Sequence, residues 1–306
     1  MKSAIKWIVT GCLLAGAMCT GTHEKKIHFK KKICVTKAVA KKTSAVAPSD
    51  TYITVWIHGV SIFKPNVYNN GLWPAHTFIE NESLFGIGKD LVESDPKRFP
   101  ADNVLMYSWA GKFDYGECEK ASARLYDSLF NAIKEYTAQN RSSPKIRIVT
   151  FSYGGNIALN LPKFKAQGKK LVVDELILLA WPVQKSLVSM ARDPMFKRIF
   201  NVYSPLDIVQ IMDPQGLCCF NPNMPLFSSR RIKRAPNVLQ AQIHINGRGC
   251  GHFGLNNRKF VSVFPLVLDE LNDWFCYAQE NNLGLKRTRY MLSIYTDKSK
   301  HAKHKS

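Results

Sequence analysis

Between Thr51 and Ile245 the chain repeats one pattern, a short apolar, β-branched run followed by a segment long enough for a helix. The runs are Thr51–Ile57 (TYITVWI), Val104–Trp109 (VLMYSW), Lys145–Phe151 (KIRIVTF), Val172–Leu179 (VVDELILL), Arg198–Tyr203 and Val238–Ile245 (VLQAQIHI). A strand with one wet face alternates apolar and polar residues. A strand that is apolar along its length is buried on both faces. Such strands, separated by helices, build a mostly parallel sheet covered on both sides. The runs predict at least five strands and up to six. Glu117–Ala138 predicts an amphipathic helix with Leu125, Leu129, Ala132 and Ile133 on one stripe. Gly155–Gln167 opens as a helix that Pro162 kinks or ends. Lys185–Arg192 reads as helical. A closing helix runs to about Glu280, with Pro265 in its first turn, where a missing N–H does no harm.

The ends differ from this middle. The 306 residues carry a net charge of +20 with 45% hydrophobic residues, too apolar for a disordered polycation. Residues 1–50 hold ten Lys against Glu24 and Asp50, a net of +8, and residues 285–306 add +6. The stretch 51–284 keeps only +6. The charge therefore points to basic ends on a modestly basic domain. Such ends suit an anionic membrane or polymer better than a nucleic acid. Lys2 and Lys6 precede an apolar stretch, Trp7–Ala17, that ends in small residues. This predicts an export signal over 1–17, too short to span a bilayer as a conventional helix. A buried N-terminal helix and a lipid-anchored variant at Cys12 or Cys19 compete with simple cleavage. Residues 18–50 read as a basic linker, with room for an edge strand around Ile27–Val35. Residues 51–284 read as one folded domain, and 285–306 as a basic tail. Export would place Cys34, Cys118, Cys218, Cys219, Cys250 and Cys276 in an oxidising compartment. A pairing of Cys250 with Cys218 or Cys219 is one arrangement, and unpaired thiols are the other.

One segment carries chemistry. Thr150-Phe151-Ser152-Tyr153-Gly154-Gly155 lies between a predicted strand and a predicted helix. A serine on so sharp a turn is strained and exposes its hydroxyl at the carboxyl edge of the sheet. Small residues two before and two after relieve crowding. Gly154 fills the second place, but Thr150 fills the first, where glycine is usual. His58-Gly59 follows the first strong strand and can present a backbone N–H near Val60 or Ser61 to an oxyanion, with a second from Tyr153. Asp207 lies just past a strand end, with Asp213 as its rival. Gly251-His252 sits in a glycine-flanked loop after the last strand, a poor core position and a good one for a general base. His244, inside that strand, reads as a sheet residue.

The order Ser152, Asp207, His252, each after a strand, resembles that of the α/β-hydrolase superfamily. The likeness covers roughly residues 51–280, and the Tyr107–Gly111 strand end is similar to one in some lipase-like members. The resemblance implies an α/β-hydrolase-like sheet without a large cap domain, and an exported serine hydrolase of carboxylic esters. In that mechanism His252 deprotonates Ser152, Asp207 orients the imidazole, and the Val60 and Tyr153 amides hold the oxyanion. The resemblance implies no cofactor and no metal, and a small-molecule or lipid ester as substrate. Two readings from other classes stand beside it: a catalytically silent fold that binds a partner, and a polyanion binder acting through its basic ends. Gly86-Ile87-Gly88 lacks the third glycine of a dinucleotide loop. Ser228–Arg234 (SSRRIKR) is a short basic cluster, readable as a solvated loop or as an anion or headgroup contact.

Overall fold

The computed structural model describes residues 28–35, 51–60, 71–77, 86–112, 114–165, 169–211, 229–232, 235–283, 285 and 289–296. The predicted export signal, Cys12, Cys19, Asp213, Cys218 and Cys219 lie outside the described residues.

Among the described residues nine strands form one sheet: β1 (His28–Val35), β2 (Tyr52–Ile57), β3 (Gly71–Pro74), β4 (Val104–Ser108), β5 (Lys145–Phe151), β6 (Val173–Leu179), β7 (Phe196–Tyr203), β8 (Val238–Ile245) and β9 (Arg289–Thr296). Their order is β1-β9-β8-β7-β6-β5-β2-β4-β3. All neighbours are parallel except β3, which pairs antiparallel with β4. The helices are α1 (Gly86–Ser94), α2 (Tyr115–Asn140), α3 (Gly154–Asn160), α4 (Arg258–Val261) and α5 (Phe264–Glu280).

Side chains along a strand point alternately to the two faces. In β6 all seven residues are buried, because both faces are covered. Ile177 and Leu179 join Phe200, Val202 and the α5 side chains Leu268 and Leu271 on one face. Leu176 and Leu178 join Ile148, Ile199 and the α2 side chains Leu125 and Leu129 on the other. Asp114 caps α2, its carboxylate accepting from the Gly116 and Glu117 amides at 2.7 and 3.3 Å, a contact typically worth about 1 kcal/mol.

Several elements depart from the sequence reading. The sheet has nine strands where up to six were expected. Residues 289–296 form β9, inside the sheet, where a basic tail was expected. Tyr290, Leu292 and Ile294 are buried while Met291, Ser293 and Tyr295 are only half-buried, and this alternation carries the strand. Its neighbour β1 occupies the residues assigned to a linker, and is the edge strand for which that stretch left room. Gly86-Ile87-Gly88 is the first turn of α1. Lys185–Arg192 forms two short 3-10 turns, Lys185–Leu187 and Met190–Arg192, so the β6–β7 connection holds no lid domain. Helix α3 stops at Asn160, and a 3-10 turn runs through Pro162. Cys250 and Cys276 are free thiols, the unpaired arrangement of the two left open above.

Candidate active site

The carboxyl ends of β2, β5, β7 and β8 converge on one place. Ser152 follows β5 with φ +52°, a left-handed backbone that a non-glycine residue adopts at a cost of about 1–3 kcal/mol. The strain is held from both sides. The Ser152 amide donates to Leu179 O at 2.8 Å, and the Gly155 amide donates to Ser152 O at 3.1 Å.

Crowding at this turn explains its glycines. A Cβ on Gly154 would stand 2.7 Å from the carbonyl oxygens of Ile57 and His58. On Gly155 it would meet the Trp181 ring at 2.4 Å. Thr150, in the place where a glycine was expected, is fully buried without a clash, its hydroxyl donating to Ile177 O at 3.3 Å. The pressure falls instead on Gly59, where a Cβ would stand 2.8 Å from Ser152 Cβ. The turn that carries Val60 therefore lies against the serine, and Tyr153 follows the serine at the start of α3.

That turn has its own clamp. Buried His58 donates from Nδ1 to Gly59 O at 2.7 Å, and the Trp109 amide donates to its Nε2 at 3.4 Å. Trp109 Nε1 donates to His58 O at 2.9 Å. Burial holds the His58 imidazole down to about 4, against its hydrogen bond to Gly59 O, which favours the charged form. The ring is therefore neutral at neutral pH.

His252 stands between the other two residues. Its Nε2 lies 2.8 Å from Ser152 Oγ and its Nδ1 lies 2.8 Å from Asp207 Oδ2. An ionised carboxylate only accepts, so Nδ1 carries the proton and Nε2 is left to accept from the serine hydroxyl. The ring packs on Phe151 with centroids 4.9 Å apart, and Phe253 meets it edge-on at 5.4 Å. His252 and Asp207 are buried. His244 is remote from this group and pairs with Gln242 Nε2 at 2.7 Å.

Three positioning contacts had no sequence signal. The Gln210 amide donates to Asp207 Oδ1 at 2.9 Å, while its side-chain Nε2 donates to Trp181 O at 2.6 Å. The acid loop is thereby tied to the exit of β6. Ser204 Oγ donates to Cys250 O, tying the acid loop to the histidine loop. The Arg230 guanidinium donates from Nε and Nη2 to Asp207 O at 3.1 and 2.8 Å. Among the described residues no group of three or more His, Cys, Asp or Glu side chains could hold a metal ion.

A mostly parallel sheet with helices on both faces, with a serine after β5, an acid after β7 and a histidine after β8, makes this the α/β-hydrolase fold. No protein-family profile and no curated protein matches the chain. Solved structures do. A protein of unknown function from Agrobacterium tumefaciens, described as a candidate α/β hydrolase, is 14% identical over 77% of this chain and 88% of its own, with a TM-score of 0.37. A hormone-sensitive lipase from a metagenome library is 13% identical over 81% of this chain and 68% of its own, with a TM-score of 0.32. Phospholipase PlaB from Legionella pneumophila is 19% identical over 46% of this chain, with a TM-score of 0.28, and this chain spans only 27% of its length.

Proposed function

We propose that the chain is an exported serine hydrolase of carboxylic esters. One observation carries this reading, the pair of 2.8 Å hydrogen bonds that sets the His252 ring between Ser152 and Asp207. In the forward step Ser152 Oγ bonds to the acyl carbon while its proton passes to His252 Nε2. Asp207 stabilises the imidazolium that forms. The Val60 and Tyr153 amides receive the oxyanion, each worth roughly 3–4 kcal/mol in the transition state. Collapse breaks the bond to the leaving alcohol, which takes the proton from Nε2. Water then repeats the sequence on the acyl-enzyme and frees the acid.

An apolar substrate suits the surroundings. Leu206, Ile208 and Val209 on the acid loop and Phe253 on the histidine loop are all more than half exposed. Such a patch marks a contact surface rather than an ordinary exterior. Export rests on Lys2, Lys6 and the Trp7–Ala17 stretch. The basic ends would hold the protein to an anionic surface. Among the described residues no helix is long and apolar enough to cross a membrane.

The test is labelling by a fluorophosphonate probe, with a panel of short- and long-chain chromogenic esters. Wild type should label and turn over at least one ester, and Ser152→Ala should do neither. A wild type inert to both would end the hydrolase reading and leave a silent binding fold.

A further inference from the structure

The Ser228–Arg234 cluster finds no use in the chemistry above, yet part of it closes a pocket beside the acid loop. Ser229, Arg230 and Arg231 form one wall. Tyr203, the last residue of β7, and Gln242, its partner in register on β8, supply the sheet side. Pro205 and Ile211 bring in the two ends of the acid loop. The cavity is about 390 Å³, within the size range of small-molecule sites. Neither Ser152 nor His252 lines it. Among the described residues, no Asp or Glu side chain lines it either.

The charge of Arg230 is the informative feature. Two of its donors rest on Asp207 O, a neutral carbonyl, and it forms no ion pair with any described residue. A guanidinium has five donors, so the Nη1 edge remains for a ligand. Arginine forks match the paired oxygens of a phosphate or carboxylate, and a second arginine on the same wall adds to that match. Leu206, Ile208 and Val209, between Pro205 and Ile211, are 54–60% exposed. The acid loop between these two lining residues thus exposes aliphatic side chains.

We propose that this pocket is an anion site that takes a phosphate-type group on Arg230 and Arg231, and that its occupancy steadies Asp207 through the Arg230 hydrogen bonds to the Asp207 carbonyl. The site itself does not depend on the hydrolase reading. Only the coupling to Asp207 rests on it. A free phosphate and the phosphate of a lipid headgroup present the same oxygens, and the exposed aliphatic side chains of the acid loop add apolar contact for the second.

The experiment uses the full chain carrying Ser152→Ala, so that binding is read without turnover. Inorganic phosphate is titrated by calorimetry. Vesicles of phosphatidylglycerol or of phosphatidylcholine are co-sedimented at fixed ionic strength. Saturable phosphate binding is expected, weakened about tenfold by Arg231→Gln and lost in Arg230→Gln. Retention on phosphatidylglycerol alone, with the same losses in both variants, would assign the site to lipid headgroups. Binding of neither ligand overturns the site. So does vesicle binding that both variants keep, since the basic ends would then account for it. Arg231→Gln keeps the test open if Arg230→Gln does not fold. In the chain with Ser152 intact, saturating phosphate should raise kcat for a short ester and leave KM unchanged, a response missing in Arg231→Gln. An unaltered kcat would overturn the coupling and leave the site.

Discussion

Glu175 and Asp207 are carboxylates with almost no exposure, 1% and 0%, at opposite ends of one sheet. Glu175, near the start of β6, lies in register between Arg147 on β5 and Arg198 on β7. Both guanidiniums contact it, and the Tyr52 hydroxyl donates to it at 3.3 Å. Burial alone would raise its pKa, but the two arginines outweigh burial and hold it below the usual carboxylate range. Asp207, past the end of β7, has one ring as its side-chain partner, and that ring is charged only after it takes a proton. The nearest guanidinium, on Arg230, is turned to the Asp207 main chain and not to its carboxylate. The contrast separates two uses of a buried charge. Permanent counter-ions settle Glu175 once, as structure. Asp207 is left with a partner whose charge can change, so in the proposed mechanism its field is available when the imidazolium forms.

Each half of the comparison can be broken. Asp207→Asn should lower ester turnover on the order of 10⁴-fold through the wrong imidazole tautomer, while unfolding in urea shifts far less than in the Glu175 variant. Asp213→Asn should leave turnover near wild type, and the reverse result would move the acid to Asp213. Glu175→Gln leaves the buried Arg147 and the half-buried Arg198 without their carboxylate. It should cost about 3–5 kcal/mol in urea unfolding while turnover per folded molecule is kept.

Acid should separate structure from chemistry as well. His58 is held low when folded, so its contribution to stability is complete above its unfolded value near 6.5 and is lost as pH falls toward about 4. Glu175 is also held low, so its contribution is complete above the ordinary glutamate range and disappears as pH falls through its lower folded value. Equilibrium unfolding between pH 7 and pH 4 should therefore weaken first through His58, and His58→Asn should flatten that part of the profile. The smallest expected change in stability is at the serine. Ser152→Gly removes the strain of φ +52° and should raise stability by about 1 kcal/mol while abolishing turnover.

What was legible in the sequence follows the same division. Ser152, Asp207 and His252 each follow a strand whose apolar run is visible, so their convergence could be read from strand ends. Gln210, Ser204 and Arg230 could not, because they act from irregular loops whose partners are main-chain carbonyls far away in sequence. Strand β3 is four residues long and ends in proline, and α1 opens with two glycines in its first three residues. Neither gives a periodic signal. The β9 alternation of Tyr290, Leu292 and Ile294 was present in the sequence, but the surrounding lysines and arginines masked it as a tail. Thr150 looked like a departure at the serine turn because that turn was judged by sequence neighbours. The close approach to the serine's own Cβ comes from Gly59, more than ninety residues earlier.

The pairing of β1 with β9 sets a schedule for the chain. His28 faces Arg289 in register, and β9 is the sole sheet neighbour of β1 among the described strands. On a ribosome the first of the described strands to emerge is thus the last to find its place, waiting while the other described strands of the sheet are made. Closing that contact joins the two ends of the described chain across its longest loop, a slow kind of step for a folding domain. A molecule halted before residue 289 could assemble the strands around Ser152 and still leave an open sheet edge at β8.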